Sequence, residues 1–324
     1  MTKIKALREY DKIADYFMVE SCSKKQGKNN KNYLDISFKD STGKIGGKVW
    51  NFDTDQSDGF KANDIVYIEG EVSTFNEKLQ LTINNIRLKH PAEVVNLSDF
   101  VKNSPESGQS MYDRIYNTIS EKVKNEELKR LTLAIYSDYH DRLIVYPAAI
   151  SFHHAEIGGL LRHTLSIMRS VYVLQGVYPF LDIDLLLCGA ALHDIGKIEE
   201  NSQNELGLLN GHTVDGELFG HIVRGTMIIE NYAKSMNLTD EKIMLLQHMI
   251  LSHHGKYEFG SPVTPRFPEA VILHMADDMD AKMYEMEDAF SKVEPGELTE
   301  KLYAFDNIRL YRSKLFNLGE GFNE

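Results

Sequence analysis

Cysteine is scarce: the 324-residue chain has two, Cys22 and Cys188, far apart and neither in a Cys-x-x-Cys pattern. That argues against a disulfide framework and against a thiolate zinc site, and both read as reduced thiols, Cys188 packed in a helix. Long apolar runs are missing too. Nothing approaches the ~20 residues of a membrane span, and Met1 to Tyr10 carries lysines without the apolar stretch of a signal peptide. The expectation is a soluble, cytoplasmic chain with no membrane partner. Internal repeats and low-complexity tracts are absent. So is a basic excess, since the net charge is −12. Acidity argues against a polyanion partner, but the charge is uneven: residues 1–90 hold 15 basic against 13 acidic side chains, and residues 91–324 hold 21 against 35. The first part therefore keeps nucleic acid open. In the second, carboxylates gathered around bound cations would count as negative in the sequence and be neutralised in the working protein.

The length and 42% apolar content suggest two domains. Tyr33 to Lys39 alternates, with Leu34, Ile36 and Phe38 on one face, and Asp40-Ser41-Thr42-Gly43 is a turn signal. Phe17 to Cys22, Lys44 to Phe52, Asp64 to Val72 and Leu79 to Leu88 read as further strands, and Gly46-Gly47 would permit a bulge. Five short strands with a long excursion at residues 53–63 fit an OB barrel. Such barrels stack bases on exposed aromatics inside a basic groove. Tyr33, Trp50, Phe52 and Tyr67 are candidate platforms, and Lys24, Lys25, Lys28 and Lys31 crowd one loop. Singly, each aromatic reads better as barrel filling and each lysine as a solvated loop; the combination favours nucleic-acid contact. The stretch Tyr33-Leu34-Asp35-Ile36 through Gly43-Lys44-Ile45 resembles the OB folds of tRNA-anticodon and single-strand binders.

Residues 91–110 read as a linker by their Pro, Ser, Gly and Asn content. Beyond it the spacing turns helical, beginning with Met111 to Tyr139, so the chain is multidomain: an all-β OB barrel at 1–90, the linker, an all-α domain at 111–292 and a tail at 293–324. The tail could cover a site, pack on the helices or meet another subunit of a homo-oligomer. Polar residues recur where a plain bundle has little use for them. His163 lies near the start of an apolar helix, His193-Asp194 ends the next, His221 opens a third, His253-His254 closes a fourth, and Asp277 sits on a long helix. Each histidine alone is more often structural than a ligand. Delivered with two aspartates by five successive segments, they point to a metal centre, because burying unpaired imidazoles and carboxylates costs several kcal/mol.

This ordered set resembles the HD superfamily of metal-dependent phosphohydrolases, in the variant with extra histidines that holds two metals. His193-Asp194-Ile195-Gly196-Lys197 matches its central motif, and Ala276-Asp277 followed by Asp280-Ala281 its terminal one. The OB–linker–HD arrangement resembles the YhaM-type 3'-to-5' exoribonucleases of Gram-positive bacteria over essentially the whole chain, supported by Tyr146-Pro147-Ala148-Ala149, His153-His154, Leu251-Ser252-His253-His254-Gly255-Lys256 and Glu258-Phe259-Gly260-Ser261-Pro262.

The resemblance implies release of nucleoside 5'-monophosphates from a 3' end, usually with manganese. It implies that His163, His193, Asp194 and Asp277 bind one ion, that His221, His253 and His254 bind a second, and that Asp194 bridges. Imidazoles with few carboxylates suit Mn, Fe, Co or Zn, and two such ions roughly 3.5–4 Å apart supply a nucleophile without a side-chain one. Asp194 and Lys197 are the expected catalytic residues. Lys197 lies one turn past Asp194, where its ammonium could reach a phosphate oxygen, against the plainer reading of a surface lysine. Arg224, His153, His154, Asp280, Tyr33 and Trp50 are the further substrate-binding candidates, and His212, His248 and His274 read as core or surface. The expected partner is single-stranded RNA, with single-stranded DNA second. A cyclic-dinucleotide or small-nucleotide phosphodiesterase is an alternative, weakened because Gly255 to Pro262 lacks the Gly-Tyr-Pro signature of those enzymes. A non-catalytic nucleic-acid-binding factor is another, weakened by the complete ligand set.

Overall fold

The computed structural model describes residues 2–27, 30–50, 60–76, 78–96, 99–101, 104–147, 157–203, 209–239 and 241–315. Lys28, Phe52, Ala148, Ala149, His153 and His154 lie outside the described residues. The chain divides into two units, residues 1–103 with 203–210, and residues 104–202 with 211–324.

In the first unit the alternating apolar pattern becomes a closed five-stranded barrel. Strands β1 (Lys12–Gln26), β2 (Asn32–Asp40), β3 (Gly43–Trp50), β4 (Ile65–Phe75) and β5 (Lys78–Leu88) follow the spatial order β1-β2-β3-β5-β4, with β4 returning to β1. All pairings are antiparallel except β3 with β5, which run parallel. One face of each strand fills the interior: Phe17, Leu34, Ile36, Phe38, Ile68, Val72 and Leu81 are fully buried, at about 1.5–3 kcal/mol each. The bulge expected at Gly46-Gly47 is not there. The β2–β3 register runs regularly through both glycines, and Gly47 serves packing instead, since a Cβ would sit 2.8 Å from the Phe38 ring and 2.9 Å from Ile83. The irregularities fall at Val19/Ser21 and Glu69/Gly70. Residues past β5 pack back on the barrel, where Phe100 is buried with Met18 and Ile65 and Lys3 reaches Asp99 at 2.8 Å.

The second unit is helical: α1 (Gly108–Lys122), α2 (Glu126–Asp138), α3 (His140–Leu143), α4 (Gly159–Val177), α5 (Ile183–Leu192), α6 (Lys197–Glu200), α7 (Val214–Ser235), α8 (Glu241–Ser252) and α9 (Pro268–Ser291). The helical stretch expected from Met111 to Tyr139 is two helices. Asp184 accepts the backbone N–H groups of Lys124 and Asn125 at 3.0 and 2.8 Å, and Asn125 caps α2 through Leu128 N–H. Two small two-stranded sheets are additions to the all-α expectation: β6 (Asn201–Gln203) with β7 (Leu209–His212), whose residues 203 and 209–210 are assigned to the first unit, and β8 (Leu298–Leu302) with β9 (Ile308–Tyr311) in this unit. The β8–β9 tail packs on the end of α9, where Arg312 donates to the Phe290 carbonyl at 3.0 Å. Helix α5 is apolar from Leu185 to Leu192 and lies buried in the middle, against α2, α4, α8 and α9. Its buried position brings its C-terminal end, His193-Asp194, to the ends and faces of its neighbours. Among the described residues no helix is long and apolar enough to cross a membrane.

Candidate metal centre

Two of the site histidines sit just past the ends of apolar helices, and the helix end itself orients them. The last carbonyls of a helix lack intrahelical donors. His193 Nδ1 takes the Ala190 carbonyl of α5 at 2.9 Å, and His253 Nδ1 takes the Ile250 carbonyl of α8 at 2.7 Å. The same division of labour recurs elsewhere. His254 Nδ1 meets the Phe259 carbonyl at 2.8 Å, His163 Nδ1 meets Asp280 Oδ2 at 2.7 Å, and His221 Nδ1 meets Glu200 Oε1 at 3.1 Å. Carbonyls and carboxylates only accept, so each Nδ1 carries the proton and donates. All five rings are thereby left with Nε2 as the ligating atom.

Close helix packing and one unusual backbone conformation bring His221 into place. Gly220 breaks α7 with φ 65° and ψ 166°, a region open essentially to glycine alone, and the helix restarts at His221. Gly196 has an ordinary helical φ, yet a Cβ there would lie 2.0 Å from the His221 carbonyl oxygen and 2.6 Å from Gly225 N. The glycine after Asp194 is needed for the approach of α7 and not for its own conformation.

The ligating atoms form two trios, His163–His193–Asp277 and His221–His253–His254, each within 4.8 Å internally. Asp194 stands between them. Its Oδ2 is 3.3 Å from His193 Nε2 and 3.7 Å from His163 Nε2, while its Oδ1 is 3.7 Å from both His221 Nε2 and His253 Nε2. Within the first trio His163 Nε2 lies 3.2 Å from His193 Nε2 and 3.1 Å from Asp277 Oδ1.

A cation fits this donor set. Asp194 Oδ1, His221 Nε2 and His253 Nε2 are buried and have no hydrogen-bond partner, and their 3.7 Å separations exceed hydrogen-bond length. Orphaned buried acceptors facing one another are costly, whereas an ion roughly 2.1 Å from each nitrogen satisfies them together. The electrostatics agree. Burial opposes ionisation of Asp194 and Asp277, but Lys197 and His193 for the first, and His163 and His193 for the second, hold both carboxyls well below the usual range. Burial likewise disfavours a charged His163, yet Asp277 and Asp280 overcome it and hold its pKa up at about 9. Burial pushes His254 down to about 4. Burial lowers His253 in the same direction, which favours the neutral, ligating form of both rings, and a cation bound in the first trio would displace the His163 proton.

Lys197 turns inward, its ammonium 2.6 Å from Asp194 Oδ2. Asp280 holds the His163 ring through one oxygen, and its second oxygen accepts from Ser166. Arg224 is paired with Glu199 and lies 3.5 Å from Asp215, so its guanidinium is engaged by carboxylates. His274 Nδ1 meets the His253 carbonyl at 2.9 Å and braces that loop. Glu200 escaped the sequence reading. Its Oε1 accepts both the His221 backbone N–H at 3.0 Å and its ring Nδ1, and the trace of it in the sequence is an acidic pair, Glu199-Glu200, five and six residues past Asp194.

In the barrel, Tyr33 and Trp50 are cross-strand partners with ring centroids 4.9 Å apart, and Trp50 is 52% exposed. Lys48 and Phe75, absent from the sequence reading, complete the patch: the Lys48 ammonium lies 5.4–5.7 Å from the rings of Tyr33, Trp50 and Phe75. Tyr67 packs edge-on against Tyr16 beneath Arg87, and Lys25 pairs with Asp35 at 2.5 Å.

Comparison with known proteins follows the same division. Residues 160–282 match the HD domain family and residues 18–88 the OB-fold nucleic acid binding domain family. The chain is similar to the 3'-5' exoribonuclease YhaM of Geobacillus sp. (strain WCH70), 36% identical over 93% of this chain and 92% of that protein. It is similar also to the 3'-5' exoribonuclease YhaM of Halalkalibacterium halodurans, 36% identical over the same shares. Among solved structures, the second OB-fold domain of replication protein A from Methanococcus maripaludis is similar at 22% identity and TM-score 0.24, over 29% of this chain and 98% of that one. With an OB barrel, an HD helical domain and full-length relatives of this kind, the chain belongs to the YhaM family of exoribonucleases.

Proposed function

We propose that the chain is a divalent-metal-dependent 3'-to-5' exonuclease that hydrolyses single-stranded RNA, and single-stranded DNA as a second substrate, to nucleoside 5'-monophosphates in the cytoplasm. The observation that carries this reading is the Asp194 carboxylate between two trios of inward-turned donors. Imidazole-rich sites of this kind suit Mn, Fe, Co or Zn, and the family resemblance favours manganese among them. Two such ions, held by His163, His193, Asp194 and Asp277 and by Asp194, His221, His253 and His254, would supply the charge that activates water and stabilises the phosphate.

The chain's own residues hold that arrangement. Lys197 holds the Asp194 carboxylate in its ionised form, and a phosphate oxygen bound at the centre would compete for its ammonium. Asp280 and Glu200 lock the His163 and His221 rings. Tyr33, Trp50, Phe75 and Lys48 supply stacking faces and a cation for a single strand. No side-chain nucleophile is required.

Purified protein with manganese is expected to shorten a 5'-labelled oligoribonucleotide stepwise and to release labelled mononucleotide at once from a 3'-labelled one. A double substitution His193→Ala, Asp194→Ala should abolish both cleavage and metal binding. An intact 3'-hydroxyl oligonucleotide with the parent, or unchanged metal binding by the double variant, would sink the proposal.

A further inference from the structure

We infer that Phe219 and Phe259 form a nucleobase-stacking subsite beside the metal centre, one that grips the 3'-terminal base of the strand; this rests on the nuclease reading above. Two segments that deliver the second trio each carry an exposed ring, Phe219 two residues before His221 and Phe259 five residues after His254. Phe219 immediately precedes the Gly220–His221 break and is 46% exposed, and Phe259 is 55% exposed.

Their anchoring is tight. The Phe259 carbonyl is the acceptor for His254 Nδ1 at 2.8 Å, and the His221 and His254 rings have centroids 5.1 Å apart. Phe259 is thus tied through its backbone to one ligand, and Phe219 lies two residues along the chain from the neighbouring one. The backbone around each is itself constrained, by Gly220 at φ 65° and by Gly260 at φ 90°. Lys256 adds a cation, its ammonium 5.2 Å from the Phe259 ring centroid, and Tyr257 on the same turn is 65% exposed. An exposed ring with a cation on one side, Lys256 being shared with Glu258 at 3.4 Å, and a site for a phosphate nearby match the two ends of a nucleotide. Stacking is indifferent to base identity because every base has a π-face, as an enzyme that removes one nucleotide after another requires.

The test uses the full-length, manganese-loaded protein with Leu, Ala and Trp at each position, the leucine keeping bulk but removing the ring. KM and kcat are measured on a short oligoribonucleotide, and stacking is read from quenching of a 3'-terminal 2-aminopurine. Phe259→Leu and Phe219→Leu are expected to raise KM by about 5- to 100-fold and to lose the quenching, with metal content and melting temperature held. Phe259→Trp should restore both signals. Unchanged KM in the leucine variants, a loss that tryptophan does not rescue, or a fall in oligomeric state of Phe219→Leu that accounts for its defect would overturn the inference. Quenching by a parent that fails to cut would support the subsite while overturning the nuclease reading.

Discussion

Replacing Glu200 by alanine removes the side-chain acceptor that both the His221 backbone N–H and its Nδ1 use, at 3.0 and 3.1 Å. Burial raises the Glu200 pKa, but the hydrogen bonds and charge of His221 reverse this and hold the carboxyl below its ordinary range, so the contact is charge-assisted. Hydrogen bonds to charged groups contribute about 1.5–3 kcal/mol, and losing the outer partner of a ligating histidine typically costs about 10- to 100-fold in metal affinity. The two estimates agree, since about 1.4 kcal/mol is tenfold. Glu200→Gln keeps an acceptor without the charge, and as charge-assisted bonds are roughly twice as strong as neutral ones, it should lose only about 3- to 10-fold. The assay is calorimetric titration of manganese into metal-free protein, resolved into two classes of site. Only the class containing His221, His253 and His254 should weaken in Glu200→Ala, while the class containing His163, His193 and Asp277, oriented by Asp280, holds its affinity. An equal loss in both classes, or none in either, would refute the reasoning.

Gly196→Ala should lower the melting temperature by roughly 2–12 °C, from about 1–3 kcal/mol of overpacking, and weaken metal binding with it, because the new Cβ meets the His221 carbonyl 2.0 Å away; a variant that melts with the parent would contradict the close approach of α7. Trp50→Ala should cost about 5- to 100-fold in single-strand affinity, and Lys48→Gln should reduce the salt slope of binding by about 0.7, both read by fluorescence anisotropy, with unaltered binding in the two variants counting against the barrel patch. The Arg87 guanidinium, bonded at 2.9 and 2.6 Å, and the His90 backbone N–H hold the Glu93 carboxyl down at about 2 against an ordinary 4.5. Its stabilising contribution is therefore present above pH 4.5 and lost as pH falls toward 2. Acid unfolding followed by circular dichroism should show the parent losing its advantage over Glu93→Gln across that window, and parallel curves would remove Glu93 from the account.

Much of the fold is written in local pattern. Leu34, Ile36 and Phe38 alternate with polar neighbours and all three are buried, because a strand's period of two leaves no other way to cover them. The apolar run that ends at His193-Asp194 is a buried helix for the same kind of reason. What the pattern misjudged were features set by partners distant in sequence. The break at Lys124–Asn125 depends on Asp184, about sixty residues away. The Gly46-Gly47 pair looked like a bulge locally, and only the barrel interior makes Gly47 a space for Phe38 and Ile83.

The candidate site divides along the same line. The residue types and their order along the chain, with the resemblance they carry, named His163, His193, Asp194, His221, His253, His254 and Asp277 without any coordinates. That every imidazole points Nε2 inward was beyond local reading, since it depends on acceptors as different as a helix-end carbonyl, a loop carbonyl and the carboxylates of Asp280 and Glu200. Nor could spacing tell that Lys197 turns onto Asp194, that Arg224 is engaged by Glu199, or that Lys48 stands among three rings. The sequence by itself determined which chemistries are available, because side-chain type limits what a group can donate, accept or ligate. Only the tertiary structure decided which atom of each group faces which, because orientation is set by whatever acceptor packing brings to the far side of the ring.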